Sequence, residues 1–520
     1  MADAASDPFA TEVVRRRSGA GAAHAPWVLA AGVVVVLGAE IARVFRFTVD
    51  DAYITLRYAR NVAEGVGATY NATGPRAEGY TSPAWMLLLT VPHLVGAAPL
   101  LFAKALGVLA TIATALLVVR WTVAESSGKH AAAAGAFAVV AYASLPRTAV
   151  HAVSGMETAF YACLVTAVLA TSSATIRLPS RRRCLVLSST CLLLGLTRPE
   201  GNLVAALAFG TTVVLVPSAA RRVLFRAAPF WLVPLAAYET WRFRYYGLPF
   251  PLPFYVKLAA PERFPGWPEV SDWLATSFLR LGVPLVAALI ARRASLAPTW
   301  VVLAAIVFFF LFPQHLMGYE ARYLAPFDPA VAALSGIGLS SCLEFLGRAG
   351  IGSRRTAIAA AVLGTLAIAG GERDAPRVLR ERLDYADGLA AAHEELGRRL
   401  HDAGSPGSRL ALADAGAIPY LSGFWTLDLV GLNDARIATT GDRSPARVLS
   451  AEPDVLVLVS RRRDAFEPWD WNAWERPIFE EASRRGFVRV GTRRFQDDYF
   501  LWVLVSPRQK LRRKNPLSDP

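Results

Sequence analysis

The 520 residues are 54% hydrophobic and only 18% charged, with a formal net charge of +14. A soluble domain is not built this way, because the charge is confined to short groups between long stretches that carry none. The basic excess could suggest nucleic acid, but it sits mainly in the short connections between apolar runs, as in cytoplasmic loops facing anionic lipid, and argues against nucleic-acid binding.

The chain opens with a basic cluster, Arg15 to Arg17, followed by the apolar "APWVLAAGVVVVLGAEIARVF". No small-x-small cleavage site follows, so this reads as an uncleaved signal anchor behind a cytoplasmic N-terminus, residues 1–26. Apolar runs near 27–46, 100–119, 130–146, 157–175, 184–197, 200–217, 224–241, 274–291, 298–313, 323–347 and 355–370 are candidate crossings of a hydrocarbon core about 30 Å thick. With the N-terminus inside, the predicted inner loops hold Arg120 with Lys129, Arg177 with Arg181 to Arg183, Arg221 with Arg222, Arg292 with Arg293, and Arg348 with Arg354 and Arg355. Each is basic, as the positive-inside rule requires. The same assignment keeps 82–96, broken by Pro92, from crossing and lays it along the outer interface. Cys163, Cys184, Cys191 and Cys342 fall inside apolar runs and read as small hydrophobic residues.

Past residue 371 the pattern changes. Strand-like "LADAG" and "DVLVLVS" alternate with the helical "GLAAAHEELGRRLHDAG" and "NAWERPIFEEASRRGF", predicting a small soluble α/β domain over 371–505. Eleven crossings place it outside, in a periplasm-like space. The basic end 506–520 reads as a disordered tail. The expected class is therefore a polytopic α-helical membrane protein with about 11 transmembrane helices and a C-terminal soluble α/β domain.

On the outer side of this topology lies a second population of ionisable groups: Asp50, Asp51, Arg57, Arg60, Glu78, His151, Glu157, Arg198, Glu200, Lys257, His315, Glu320 and Arg322. Charges at a membrane edge are disfavoured unless paired or hydrated, so convergence on one wet cavity would account for them. Each alone also fits a structural role: an acid complements a helix N-terminus, and an arginine snorkels. Near "TVDDAYITLRYARNVAEG", Thr48 and Asp51 approach a capping box, which leaves Asp50 without a capping role. In the helix that follows, Tyr53, Arg57, Arg60 and Glu64 form one polar stripe.

An acid beside arginines at an outer membrane surface suits a phosphate-bearing lipid and a reacting hydroxyl. A leaving phosphate needs fixed positive charge, which arginine supplies bidentately and lysine as a point charge. The attacking hydroxyl needs a carboxylate to take its proton.

The first motif "DDAYITLRYARNVAEGVGATYN…RAEGYTSPAWMLLL", with "SGMET", "LTRPEG", "YYGLPFPLPFYVK" and "ARYLAPF" in that order, resembles bacterial GT-C membrane glycosyltransferases. The group it is most similar to contains terminal arabinofuranosyltransferases and flagellar-motor-control proteins. The likeness spans roughly residues 45–330. It implies a GT-C-like membrane domain over 27–370 with a first outer loop, 47–99, that bears the catalytic acid, and a polyprenyl-phosphate-linked sugar donor. On this resemblance the acid falls on the Asp50-Asp51 pair, with Asp50 preferred as general base. Arg57, Arg198, Lys257 and Arg322 become phosphate ligands; the polar stripe and the outer ionisable groups, not the resemblance, add Tyr53, Arg60, Glu78, Glu157, Glu200 and Glu320 as substrate-site candidates. Acceptors would be a cell-envelope glycan, lipid or protein. The sequence has Pro251-Leu252-Pro253 where the family pattern carries a polar Pro-Asn, so arabinose is not implied.

The carboxylate pair could also chelate a divalent cation, but the cations nearby make a metal dispensable to a monophosphate donor, and no cofactor is expected. No P-loop, dinucleotide fingerprint or HExxH pair is present. His393 and His401 read as residues of a solvated helix. Asn71-Ala72-Thr73 matches a short glycosylation pattern, and Tyr420, Phe424 and Trp425 could stack on a sugar or pack the outer domain onto the membrane part. Two other classes stay open: a transporter or flippase of a lipid-linked saccharide, and a non-catalytic assembly factor.

Overall fold

The structure, a computed structural model, describes residues 25–126, 128–258, 264–314, 317–372 and 374–508. The Arg15 to Arg17 cluster, His315 and most of the basic tail lie outside these residues. Every apolar run expected to cross forms helix. In chain order the helices are α1 (Ala25–Val44), α2 (Asp51–Ala63), α3 (Pro83–Leu94), α4 (Pro99–Glu125), α5 (Ala131–Ala143), α6 (Pro146–Val153), α7 (Thr158–Arg177), α8 (Arg181–Thr197) and α9 (Pro199–Leu215). There follow α10 (Ser218–Ala227), α11 (Pro229–Tyr246), α12 (Leu252–Leu258), α13 (Trp267–Ile290), α14 (Ala297–Phe309), α15 (Asp328–Arg348) and α16 (Ser353–Glu372).

Among the described residues four helices are long and apolar enough to cross a membrane by themselves, or five if α5 and α6, bent by 64°, make one broken span. Helix α3 has 12 residues, fewer than a crossing of the hydrocarbon core requires. The expected run 224–241 is divided at Ala228 into α10 and α11, because Pro229 starts a new helix where its missing N–H costs nothing.

Helix α15 is the centre of the bundle, and small residues let its neighbours close in. A Cβ on Gly338 would stand 1.8 Å from the carbonyl oxygen of Pro284 in α13, and one on Gly336 would stand 2.5 Å from that of Ala134 in α5. Backbones this near give the close van der Waals packing that lipid-embedded helices rely on. At the start of α15, Asp328 accepts two hydrogen bonds from Arg147, at 2.7 and 2.9 Å, and a third from Trp273 Nε1 at 2.8 Å. This buried pair satisfies a charge that the bundle could not otherwise enclose.

The C-terminal part carries α17 (Ala375–Gly388), a π-helical turn, α18 (Glu395–Ala403), β1 (Arg409–Leu412), α19 (Ala417–Ser422), β2 (Trp425–Asp428), α20 (Ala435–Thr440) and α21 (Pro445–Ser450). It ends with β3 (Val455–Ser460), α22 (Glu475–Arg484), β4 (Val488–Gln496) and β5 (Tyr499–Val505). The sheet order is β2-β1-β3-β5-β4, parallel at β1–β2 and β1–β3 and antiparallel at β3–β5 and β4–β5. All six residues of β3 are buried, as a central strand covered on both faces demands. Val455, Val457 and Val459 pack with Leu396 and Leu400 of α18, while Leu456 and Leu458 face α21 and α22 through Val448 and Ile478.

Candidate active site

Three helix starts and two loops bring charge to one small cavity. Asp51 opens α2, and Glu157 precedes α7. Arg198 sits between α8 and α9, held extended at φ −153° and ψ 145° because Pro199 denies it the helical region. Glu200 lies in the first turn of α9, and Lys257 near the end of α12. Arg322 follows a turn in which Met317, Glu320 and Ala321 have φ of 53°, 50° and 49°. Non-glycine residues resist that region, so the turn stores strain while delivering Arg322 to the cavity.

Glu157 is the hub. Its Oε1 accepts from Arg198 Nη1 at 2.7 Å and lies 3.7 Å from Arg322 Nη2, and Glu200 holds Arg198 from a second side through Nε. Arg322 Nη1 reaches Asp51 Oδ2 at 3.4 Å. Tyr323 lies among the three cations: its hydroxyl accepts from Lys257, whose Nζ stands 4.4 Å from the ring centroid, and Arg198 is 5.0 Å from the same centroid. The cavity is lined by Asp51, Glu157, Lys257 and Arg322, by Thr55 and the 79–82 segment, and by Leu432 from the C-terminal domain. The cavity holds about 60 Å³ of free space. Asp51, Glu157, Arg198, Glu200, Lys257 and Arg322 are thus brought together.

The rest of the expected site is elsewhere. Asp50, one residue before Asp51, points away from the cavity and into the C-terminal domain, where Oδ2 and Oδ1 accept from Gly416 N at 3.0 Å and Ala417 N at 2.8 Å. Burial pushes its carboxyl up to about 6, against the lowering influence of His393, with Asp414 raising it further and the Ala417 N–H lowering it. A group raised above its unfolded value stabilises the fold at low pH and loses that contribution as pH rises through the folded value. Wild-type protein in detergent should accordingly lose more stability between pH 5 and pH 7.5 than Asp50→Asn does. Equal pH slopes of the two melting temperatures would count against this.

The polar stripe of α2 exists, but it faces the C-terminal domain. Arg57 donates to the carbonyl oxygens of Tyr70, Pro419 and Phe424, each at 2.7 Å, and to Asn71 Oδ1 at 3.0 Å and Thr426 Oγ1 at 3.5 Å. Arg60 donates to the Tyr420 carbonyl at 2.9 Å and covers its ring, and the Tyr53 hydroxyl donates to Glu394 at 2.6 Å. Arg57, Arg60 and Tyr53 therefore hold the domain down and do not line the cavity. Glu78 accepts from Arg242 Nη1 at 2.8 Å, and burial, only partly offset by that arginine, raises its carboxyl to about 7. Glu320 turns its side chain to Arg382, 3.8 Å away, while its carbonyl bonds His151.

One smaller expectation is corrected. His393 is buried and bonds Asp414 at 2.8 Å instead of lying in solvent. Asn71 is no free acceptor of a glycan, since its amide donates to Thr426 O at 2.8 Å and accepts from Thr426 N at 2.9 Å. Tyr420, Phe424 and Trp425 pack the domain onto the loop, with Trp425 Nε1 donating to Thr73 O at 3.1 Å. Among the described residues no group of three or more His, Cys, Asp or Glu could hold a metal ion.

Sequence reasoning missed Tyr323 and Leu432. Tyr323 is legible only as the neighbour of Arg322, and nothing local marks Leu432. The loop carrying it is built by Asp428, whose carboxylate accepts from the N–H groups of Val430, Gly431 and Asn433 at 2.9, 3.1 and 2.8 Å. Asn433 accepts from the Tyr58 hydroxyl at 3.1 Å, and the loop lies so near residue 79 that a Cβ there would meet Asn433 Oδ1 at 1.9 Å and Leu432 O at 2.6 Å. Gly79→Ala should cost about 1–3 kcal/mol of stability, read by denaturant unfolding, because backbone must shift to admit the methyl. An unchanged midpoint would mean the loop yields freely.

Residues 381–502 match a family model described as a domain of unknown function (DUF8728). No curated protein sequence matches the chain. Solved structures do resemble it. ArnT from Cupriavidus metallidurans bound to undecaprenyl phosphate superposes with a TM-score of 0.59 at 14% identity, covering 95% of this chain and 99% of that one. The apo state of the same protein gives 0.57 at 15% identity, over 93% and 98%. The archaeal oligosaccharyltransferase AglB from Archaeoglobus fulgidus, in complex with an inhibitory peptide and a dolichol-phosphate, gives 0.52 at 11%, over 82% and 69%. The chain thus shares the GT-C fold of these structures and carries a C-terminal α/β domain.

Proposed function

We propose that this protein is a glycosyltransferase that moves a single sugar from a polyprenyl-phosphate carrier to an acceptor hydroxyl at the outer face of a bacterial inner membrane, with its C-terminal domain outside. The observation that carries this is one cavity holding a carboxylate, Asp51, against two cations, Arg322 and Lys257. Asp51, not Asp50, is the base in this reading. Its side chain is 23% exposed and lines the cavity, whereas both oxygens of Asp50 are engaged by backbone N–H groups.

In the proposed step the acceptor oxygen attacks C1 of the sugar and its proton passes to Asp51. The bond from C1 to the phosphate oxygen breaks, and the electron pair leaves with the polyprenyl phosphate. Arg322 and Lys257 neutralise the growing charge on that phosphate, while Arg198 and Glu200 hold Glu157, and through it Arg322, in place. The two cations supply the charge that a divalent metal would otherwise provide, so the reading needs none. The ArnT structure with undecaprenyl phosphate and the AglB structure with dolichol-phosphate support a carrier of this class.

The test compares lipid-linked sugars and surface glycans in cells with and without the gene. A polyprenyl-phosphate sugar should accumulate on deletion, and one surface glycan should lack that sugar. Unchanged lipid and glycan profiles would reject the proposal. Accumulation reversed by an Asp51→Asn protein would favour a transporter instead.

A further inference from the structure

The cavity contains a hydroxyl that the proposed chemistry does not use. Ser82 directly precedes α3, whose first residue is Pro83. A serine in that position ordinarily turns its hydroxyl onto the backbone N–H two or three residues on, a contact that secures the first helical turn. Two other serines of this chain do so: Ser180 accepts from Arg183 N and Ser444 from Arg447 N, each at 3.3 Å. Ser82 makes no such bond. Its Oγ is buried without a hydrogen-bond partner among the described residues, in a residue only 2% exposed, and Ser82 lines the cavity. The helix start is secured by other means, since Met86 N donates to the Ser82 carbonyl at 2.9 Å and Trp85 Nε1 to the Gly155 carbonyl at 3.2 Å.

A buried hydroxyl with no partner is costly, and such groups persist where something else pairs with them. The ligand edge here is neutral. Thr81 and Ser82 line the cavity together with Asp51, Lys257 and Arg322, and a neutral hydroxyl that can both donate and accept is matched to a sugar hydroxyl more than to a phosphate, which the two cations already serve. We infer that Ser82 is a specificity-determining residue that hydrogen-bonds a hydroxyl of the transferred sugar. This rests on the proposed transferase reading of the same cavity.

The test uses full-length protein in detergent and measures binding of undecaprenyl phosphate alone, of that lipid linked to glucose, mannose or arabinose, and of the lipid-linked sugar recovered from cells lacking the gene. Wild type should bind at least one sugar-linked form more tightly than the bare phosphate. Ser82→Ala should lose about five- to tenfold in affinity for that form, the worth of one neutral hydrogen bond, with bare-phosphate binding unchanged. Ser82→Thr, which keeps a hydroxyl, should recover most of the loss, and the melting temperature of Ser82→Ala should not fall, because no helix cap is removed. Equal losses for bare and sugar-linked lipid, or no loss, would overturn the inference. So would wild type that binds all forms alike, because the cavity then reads no sugar. Failure of wild type to bind undecaprenyl phosphate at all would instead bring down the transferase reading.

Discussion

On the proposed reading, Asp51→Asn should lower kcat for sugar transfer about a hundred- to ten-thousand-fold with the fold intact, whereas Asp50→Asn should leave the chemistry running. The first effect follows from removing the only carboxylate of the lining set that an acceptor proton could reach without breaking the Glu157 hub. Asn keeps the size and the contact to Arg322 but accepts no proton. The second follows from geometry: the Asp50 oxygens are committed to Gly416 and Ala417, so its loss is read in domain docking and not in bond making. The decisive measurement is a single-turnover assay on both variants with the accumulated donor. Loss of turnover in Asp50→Asn with Asp51→Asn active would reverse the assignment.

Arg57→Met releases the C-terminal domain from the membrane part. The guanidinium makes five hydrogen bonds, three of them to the carbonyls of Tyr70, Pro419 and Phe424. Methionine keeps the apolar stem but removes all five bonds; the Tyr70, Phe424 and Pro419 carbonyls keep Asn61, Thr426 and Gly423 as donors, so the loss is that of hydrogen bonds to a buried cation, about 1.5–3 kcal/mol. Hydrogen exchange should rise across residues 409–428 and around 70–73, and limited proteolysis should free the domain. Transfer would fall as a consequence, because Leu432 leaves the cavity wall with the domain. An Arg57→Met protein with a fully protected domain and a raised donor KM would return Arg57 to phosphate binding.

The docking role explains why the first outer loop misled the sequence reading in part. The stripe of Tyr53, Arg57, Arg60 and Glu64 was legible, since a spacing of three and four residues marks one side of a helix. Its partner was not. Arg57 meets Pro419 across 362 positions of chain, and no local pattern encodes a contact at that separation. The same applies to Asp50 and Asp51. Neighbours in a helical segment point about 100° apart, so one faces the bundle and the other the domain, and only the seating of α2 says which. By contrast, Glu157, Arg198, Lys257 and Arg322 were legible as ionisable groups on the outer side of the expected topology, and the three cations also as motif positions of the GT-C resemblance.

What the sequence determined by itself is the order of the apolar helices and the α/β character of the C-terminal part, because apolar length, proline breaks and strand-helix alternation are local properties of the chain, while the GT-C fold was legible through the resemblance of its motifs. What tertiary structure decided is the division of labour among the charges. A carboxylate or guanidinium looks the same in sequence whether it closes a domain interface or lines a cavity. The difference lies in which buried donors and acceptors surround it, and those arrive from segments hundreds of residues away.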